Sequence, residues 1–199
     1  MDFKAIIQLK LKDAFCSEQK FQCIVDDKDL LKELFECDNR GSLLVYDDEV
    51  IGHSVYVQET RGIGRDKVFI VKNQNHKDIF LWHIDGVLFK KNSKCDCALL
   101  TDKDMNFVEF KSNAENNSKE SIQYNYQKSS DQLLLTLKEI TGRCKSVGVE
   151  LTNIVKVEAF AVFNRSVPRN DALRKKISAK FLKDSEGIKL VFDNKTSMR

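Results

Sequence analysis

Apolar and polar positions along the chain fall into two rhythms. In residues 27–37 (DKDLLKELFEC), Leu30, Leu31, Leu34 and Phe35 recur at helical spacing, which predicts a helix. Three short runs rich in β-branched and aromatic side chains follow and predict strands: residues 43–46 (LLVY), 51–57 (IGHSVYV) and 67–72 (KVFIVK). Asp47-Asp48 and Gly62-x-Gly64 punctuate them as turns. Residues 80–89 (FLWHIDGVLF) predict a hairpin, since Asp85-Gly86 suits a tight primed turn. Two more strands joined by a polar turn lie in residues 94–111, KCDCALLTDKDMNFVEFK.

Longer elements follow. The stretch 112–120, rich in Asn, Ser and Lys, predicts a loop. Residues 118–140 predict a helix with Ile122, Tyr126, Leu133, Leu134, Leu137 and Ile140 as its apolar stripe and Gly142 as its stop. Residues 154–163 (IVKVEAFAVF) predict a strongly apolar strand, and residues 171–183 a basic helix after the sole proline, Pro168. Residues 188–192 (IKLVF) predict the last strand. In a chain of 199 residues this order predicts an α/β fold with a central mixed β-sheet flanked by helices. No repeat or linker divides it. The expectation is a single domain over residues 1–199, with residues 1–75 as an N-terminal extension of its core.

Composition narrows the class. With 42% hydrophobic and 32% charged residues, a globular core under a well-solvated surface is expected. No apolar run approaches the roughly 20 residues of a membrane span. Lys4, Lys10 and Lys12 interrupt the first fifteen residues, which lack a signal-peptide cleavage site. The expectation is a cytoplasmic protein with no membrane partner. The six cysteines show no paired CxxC spacing, so reduced, buried thiols are expected. Cys95-x-Cys97 would put both thiols on one strand face, opposite Asp96. His53, His76 and His83 have no spacing that marks a metal site or a triad. RGIGR, residues 61–65, lacks the Lys-Ser/Thr of a phosphate loop, which argues against ATP use.

Net charge is only +3, but it is unevenly placed. Residues 165–183 carry Arg165, Arg169, Arg174, Lys175, Lys176, Lys180 and Lys183 against Asp171. Residues 26–36 are acidic. A basic C-terminal element of this kind can follow a phosphate backbone, and it equally suits a solvated helix face.

The sharpest chemistry lies in the strand pair of residues 94–111. Strand side chains alternate, so Asp96, Ala98 and Leu100 share one face, and Phe107, Glu109 and Lys111 share another. With Leu100 opposite Phe107, Asp96 lies opposite Lys111; a two-residue shift puts it opposite Glu109. Both registers gather the three polar groups. Two carboxylates brought together raise one another's pKa unless a cation sits between them, and oxygen ligands suit magnesium or manganese. The Phe110 carbonyl is a further candidate ligand. A lysine beside such an ion can orient water and stabilise charge on an attacked phosphate. The competing account is a set of ordinary ion pairs on a sheet face.

Asp96 followed by Glu109-Phe110-Lys111 resembles the D…(D/E)xK signature of the restriction-endonuclease-like, PD-(D/E)XK, nuclease superfamily. The order of elements over residues 78–192 is similar as well; Cys95 stands where the signature has proline. The resemblance implies a restriction-endonuclease-like core, with Asp96 and Glu109 as ligands of Mg²⁺ or Mn²⁺ and Lys111 positioning the attacking water. It implies a glutamate from the first helix in the site, Glu33 ahead of Glu36, and a glutamine from the helix after the lysine, Gln132 ahead of Gln123. Residues 164–171 (NRSVPRND) then offer a phosphate-binding turn: Arg165 and Arg169 precede a helix capped by Asn170 or Asp171, and Arg174 and Lys175 continue its basic surface. The expectation is a metal-dependent nuclease acting on nucleic acid, DNA before RNA, in defence or DNA processing, as a homo-oligomer or with a partner subunit. The alternative is an inactive nucleic-acid-binding or protein-interaction subunit of the same fold.

Overall fold

The structure is a computed structural model that describes residues 10–15, 34–60, 62–64, 67–89, 94–111, 118–164, 167 and 170–198. Two sheets form its framework. The first has six strands, β1 (Phe35–Asp38), β5 (Ile79–His83), β6 (Cys97–Leu100), β7 (Asp104–Lys111), β8 (Lys156–Phe163) and β9 (Lys189–Val191), in that spatial order. The second has four, β2 (Ser42–Asp48), β3 (His53–Val57), β4 (Val68–Lys72) and β10 (Lys195–Ser197), in the order β10-β4-β2-β3. The helices are α1 (Leu11–Ala14), α2 (Lys119–Ser146), α3 (Leu151–Ile154) and α4 (Asp171–Asp184).

The six-stranded sheet is mixed. β1, β5, β6 and β7 pair antiparallel, whereas β7–β8 and β8–β9 pair parallel. Parallel neighbours need a crossover, and α2 and α4 supply the two. Both helices pack on the same face: Tyr126, Leu133, Leu137, Ile177 and Phe181 join Ala98, Leu100, Phe107, Ala159 and Ala161 in one core. The alternate side chains Cys97, Leu99, Val108, Phe110 and Val162 face the other way, onto Leu43, Val45, Phe69 and Val71 of the second sheet. The α/β class is as expected. The flanking is not: among the described residues helices cover one face of the central sheet, and a sheet covers the other. None of the described helices is long and apolar enough to cross a membrane.

Four local expectations are corrected. Of the helix expected over residues 27–37, the first seven residues lie outside the described ones, and Phe35–Asp38 is an edge strand on β5. There Phe35 stacks on Trp82, ring centroids 5.7 Å apart, so pairing and aromatic burial override a helical spacing. The hairpin expected at residues 80–89 is one strand and a turn. The Ile84 carbonyl accepts from Leu88 and Phe89, both apolar side chains enter the helix-side core, and β5 pairs with β6 instead. Gly142 does not stop α2, because Cys144 continues the buried stripe; the helix ends before Gly148, at φ +79°. The chain also has a strand beyond β9: polar β10 lies parallel to β4, with Met198 buried between the sheets. β10 ties residues 195–197 to the four-stranded sheet, which is therefore not built from residues 1–75 alone.

Candidate active site

β7 runs between β6 and β8, and its buried centre carries a glutamate that is 1% exposed, Glu109. β6 pairs Cys97 with Val108 and Ala98 with Phe107, so one step further Asp96 faces Glu109. This is the second of the two expected registers. Asp96 itself stands at a bend, where its carbonyl accepts from both Ile84 (3.2 Å) and Asp85 (3.3 Å). Beyond Cys97 the ladder gives Phe110 no strand partner on this edge, and Asp96 Oδ2 accepts its N–H at 2.5 Å. A strand residue's N–H and C=O leave by the same edge, so the Phe110 carbonyl also lies on the Asp96 side. The bend breaks the alternation expected of Cys95-x-Cys97. Cys95 packs in the helix-side core and Cys97 between the sheets, both buried and free.

The long helix holds this bend in place. Ser118 caps α2, its Oγ accepting from Ser121 N–H at 3.1 Å, and the buried stripe brings Gln132 and Thr136, one turn apart, over residues 94–95. Thr136 Oγ1 accepts from the Cys95 N–H at 2.8 Å, and Gln132 Nε2 donates to the Lys94 carbonyl at 3.0 Å. The other end of the same amide, Gln132 Oε1, accepts from Lys111 Nζ at 2.9 Å. Lysine only donates and a carbonyl only accepts, so these two partners fix the amide's orientation. Lys111 Nζ also donates to Glu109 Oε1. Glu109 Oε2 has no hydrogen-bond partner among the described residues. Gln132 is thus the glutamine at the lysine, while Gln123 is exposed on the same helix.

Two carboxylates that spacing did not single out complete the cluster. Asp47, in β2, and Asp85, in the turn after β5, line a cavity of about 150 Å³ with Asp48, Glu49, Gly52, His53 and Asp96. Burial pushes the Asp96 carboxyl well above its usual range, with Glu109 and then Asp47 adding to the rise; the Phe110 amide and Lys111 oppose it. Burial also raises Glu109 from 4.5 to about 7, against the pull of Lys111. Asp47 and Asp85 are raised too, again by burial first. Lys111 is the cation that acts on all four. Among the described residues four carboxylates share one ammonium, which leaves them short of positive charge, and an orphaned buried oxygen points to the same deficit. Hard oxygen donors of this kind have the chemistry for Mg²⁺ or Mn²⁺, although among the described residues no three of these carboxylates bring oxygens within 4.8 Å of one another.

Glu33, Arg165 and Arg169 lie outside the described residues. Glu36 is on a strand, not a helix, and its Oε2 accepts from the Tyr56 N–H at 3.3 Å. Asn170 is the N-cap of α4, its Oδ1 accepting from Leu173 N–H at 3.1 Å. Lys175 is exposed on that helix. Arg174 is half-buried: Nε donates to Tyr126 Oη at 2.9 Å, and the guanidinium lies over the Tyr126 and Phe192 rings. It lines a larger cavity, about 430 Å³, with Phe163, Asn164, Asp193 and Lys195 at the C-terminal end of β8. Replacing Arg174 with alanine is expected to lower stability by about 1–2 kcal/mol, the worth of a partly buried cation–π contact and a hydrogen bond. A urea titration of the variant checks this. Scans against protein families, curated proteins and solved structures find no match to this chain.

Proposed function

We propose that the chain is a metal-dependent nuclease that hydrolyses phosphodiester bonds, with DNA as the first substrate to try. The carrying observation is Lys111, held between Glu109 and Gln132 beside a cluster with more carboxylates than cations. The superfamily resemblance of Asp96 and Glu109-Phe110-Lys111 supports the same reading, as does a buried glutamine where that resemblance implies one.

Asp96, Glu109 and the Phe110 carbonyl would hold a Mg²⁺ or Mn²⁺ ion, with Asp47 or Asp85 close by. When bound, the ion withdraws charge from the phosphate oxygens and lowers the pKa of water. The chain's part is positional. Gln132 keeps the Lys111 ammonium at the cluster, where it orients the attacking water and faces the charge that grows on the phosphate. Water's oxygen would bond to phosphorus and give up a proton while the bond to one sugar oxygen breaks and that oxygen takes up a proton, leaving a phosphate end and a hydroxyl end. The exposed lysines of α4, Lys175, Lys176 and Lys180, supply a surface for the backbone of the substrate.

Supercoiled and linear DNA incubated with the protein in Mg²⁺ or Mn²⁺ tests the proposal. Cutting that EDTA abolishes supports it; salt-sensitive binding without cutting would favour the inactive binding subunit. Gln132→Ala removes one acceptor from Lys111 and frees the Lys94 carbonyl. A hydrogen bond to a charged group is worth about 1.5–3 kcal/mol, so single-turnover cleavage is expected to fall roughly 10- to 100-fold.

A further inference from the structure

A second polar cluster lies where the two sheets meet. Glu36 comes from β1, His83 from β5 and His53 from β3, and one ligand-capable atom of each lies within 4.8 Å of the others. β1 and β3 are edge strands, so the cluster joins the rim of one sheet to the rim of the other. Tyr56 braces the junction by donating its N–H to Glu36 and its hydroxyl to the Ile79 carbonyl at 3.1 Å.

We propose that Glu36, His53 and His83 form a binding site for a divalent ion of the zinc class. His83 Nε2 and Glu36 Oε1 stand 3.6 Å apart, too far for a hydrogen bond. Tetrahedral zinc, with nitrogen at about 2.0–2.1 Å and carboxylate oxygen at about 2.0–2.2 Å, separates its ligand atoms by about 3.3–3.5 Å. This pair already stands near that spacing. His53 Nδ1 lies 3.1 Å from the Ser54 carbonyl. In the neutral ring that nitrogen carries the proton and Nε2 keeps the lone pair, which is how a backbone carbonyl orients a metal-binding imidazole. The two rings stand with centroids 4.3 Å apart, and His83 is buried at 1% exposure.

The donor set separates this site from the one at Lys111. Two imidazoles and one carboxylate suit zinc or its neighbours, whereas Mg²⁺ takes oxygen ligands. Three protein ligands leave a coordination position open, and His53 also lines the acidic cavity. A zinc-class ion here would clamp both sheets at the rim of that cavity. The inference does not depend on the nuclease reading.

The test is a titration of the chelator-stripped full chain with Co²⁺, followed by visible absorption, and with Zn²⁺, followed by calorimetry. A single saturable Co²⁺ band that Zn²⁺ displaces is expected, and a roughly thousandfold excess of Mg²⁺ should leave it intact. His53→Ala and Glu36→Gln are expected to weaken Zn²⁺ binding at least roughly 100-fold, while His76→Ala and Glu109→Gln retain it. No saturable band, undiminished binding in His53→Ala, or loss of binding in Glu109→Gln would each overturn the site. Urea midpoints of the variants separate a lost ligand from a lost fold. Should His53→Ala fail to fold, the near-isosteric Glu36→Gln decides.

Discussion

Lys111→Ala is expected to lose metal-dependent cleavage by a factor of roughly 10²–10⁴, the range for removing one positioned catalytic group. Its ammonium acts on Asp47, Asp85, Asp96 and Glu109 alike, and Gln132 restrains it from the helix side. Alanine takes away the ammonium that the proposal sets to face both a water and a phosphate oxygen. Lys111→Arg should not rescue the rate, because a planar fork cannot fill the place of a compact ammonium between two side-chain oxygens. Single-turnover cutting of plasmid, with circular dichroism to show that the variants are folded, gives the measurement. Equal rates for wild type and Lys111→Ala would remove the proposed site.

The second large effect concerns stability. In the folded chain Glu109 titrates at about 7, raised from 4.5 by burial. An acid with a raised pKa stabilises the fold fully below its unfolded value and loses that contribution as pH rises through its folded one. Between about pH 4.5 and 7 the native state keeps a proton that the unfolded chain gives up, so stability falls with rising pH. At 1.36 kcal/mol per unit the loss is on the order of 3 kcal/mol. Glu109→Gln keeps the shape and removes the buried charge, so at pH 8 and without metal it should be the more stable protein by a similar amount. Asp47, Asp85 and Asp96 are raised in the same direction, and the variant should therefore retain a residual slope. Urea unfolding at pH 5 and pH 8 measures both. If Glu109→Gln is instead destabilised at pH 8, the Glu109–Lys111 contact is a structural ion pair.

The same carboxyl offers a second observable. Protons compete with a cation for Glu109, so Mn²⁺ affinity of the wild type should rise with pH up to about 7.

Much of this arrangement could be anticipated from local pattern. The alternation of Phe107, Glu109 and Lys111, the stripe from Ile122 to Ile140 and the N-cap at Asn170 are short-range features, and the structure contains all three. Gln132, the first of the two glutamines that the resemblance offers, lies on Lys111. What escaped is set by partners distant in the chain. Asp47 and Asp85 look like turn residues because acidic pairs and Asp-Gly commonly are; the stacking of the second sheet on the first brings Asp47 to Asp96, and the pairing of β5 with β6 brings Asp85 there. His53 and His83 are thirty residues apart with no motif between them, and their approach depends on β3 crossing β5. Phe35 follows a helical spacing and joins a strand because Trp82 offers an aromatic face. The bend at Asp96, which splits Cys95 from Cys97, follows from a capped Phe110 amide that no strand pattern encodes.

The polar strand β10 has a consequence for how the molecule is made. It is held to β4 at both ends, the Asn194 carbonyl accepting from Ile70 and the Met198 amide donating to Lys72. A ribosome delivers β2, β3 and β4 long before it delivers residues 194–198, so β4 waits as a bare strand edge while the rest of the chain is synthesised. Such distant pairings are slow to close, because the loop entropy comes due before the contact forms. Met198 then plugs the layer beneath β4. The sheet that carries Asp47 therefore gains the strand along its β4 edge only after residues 194–198 have emerged.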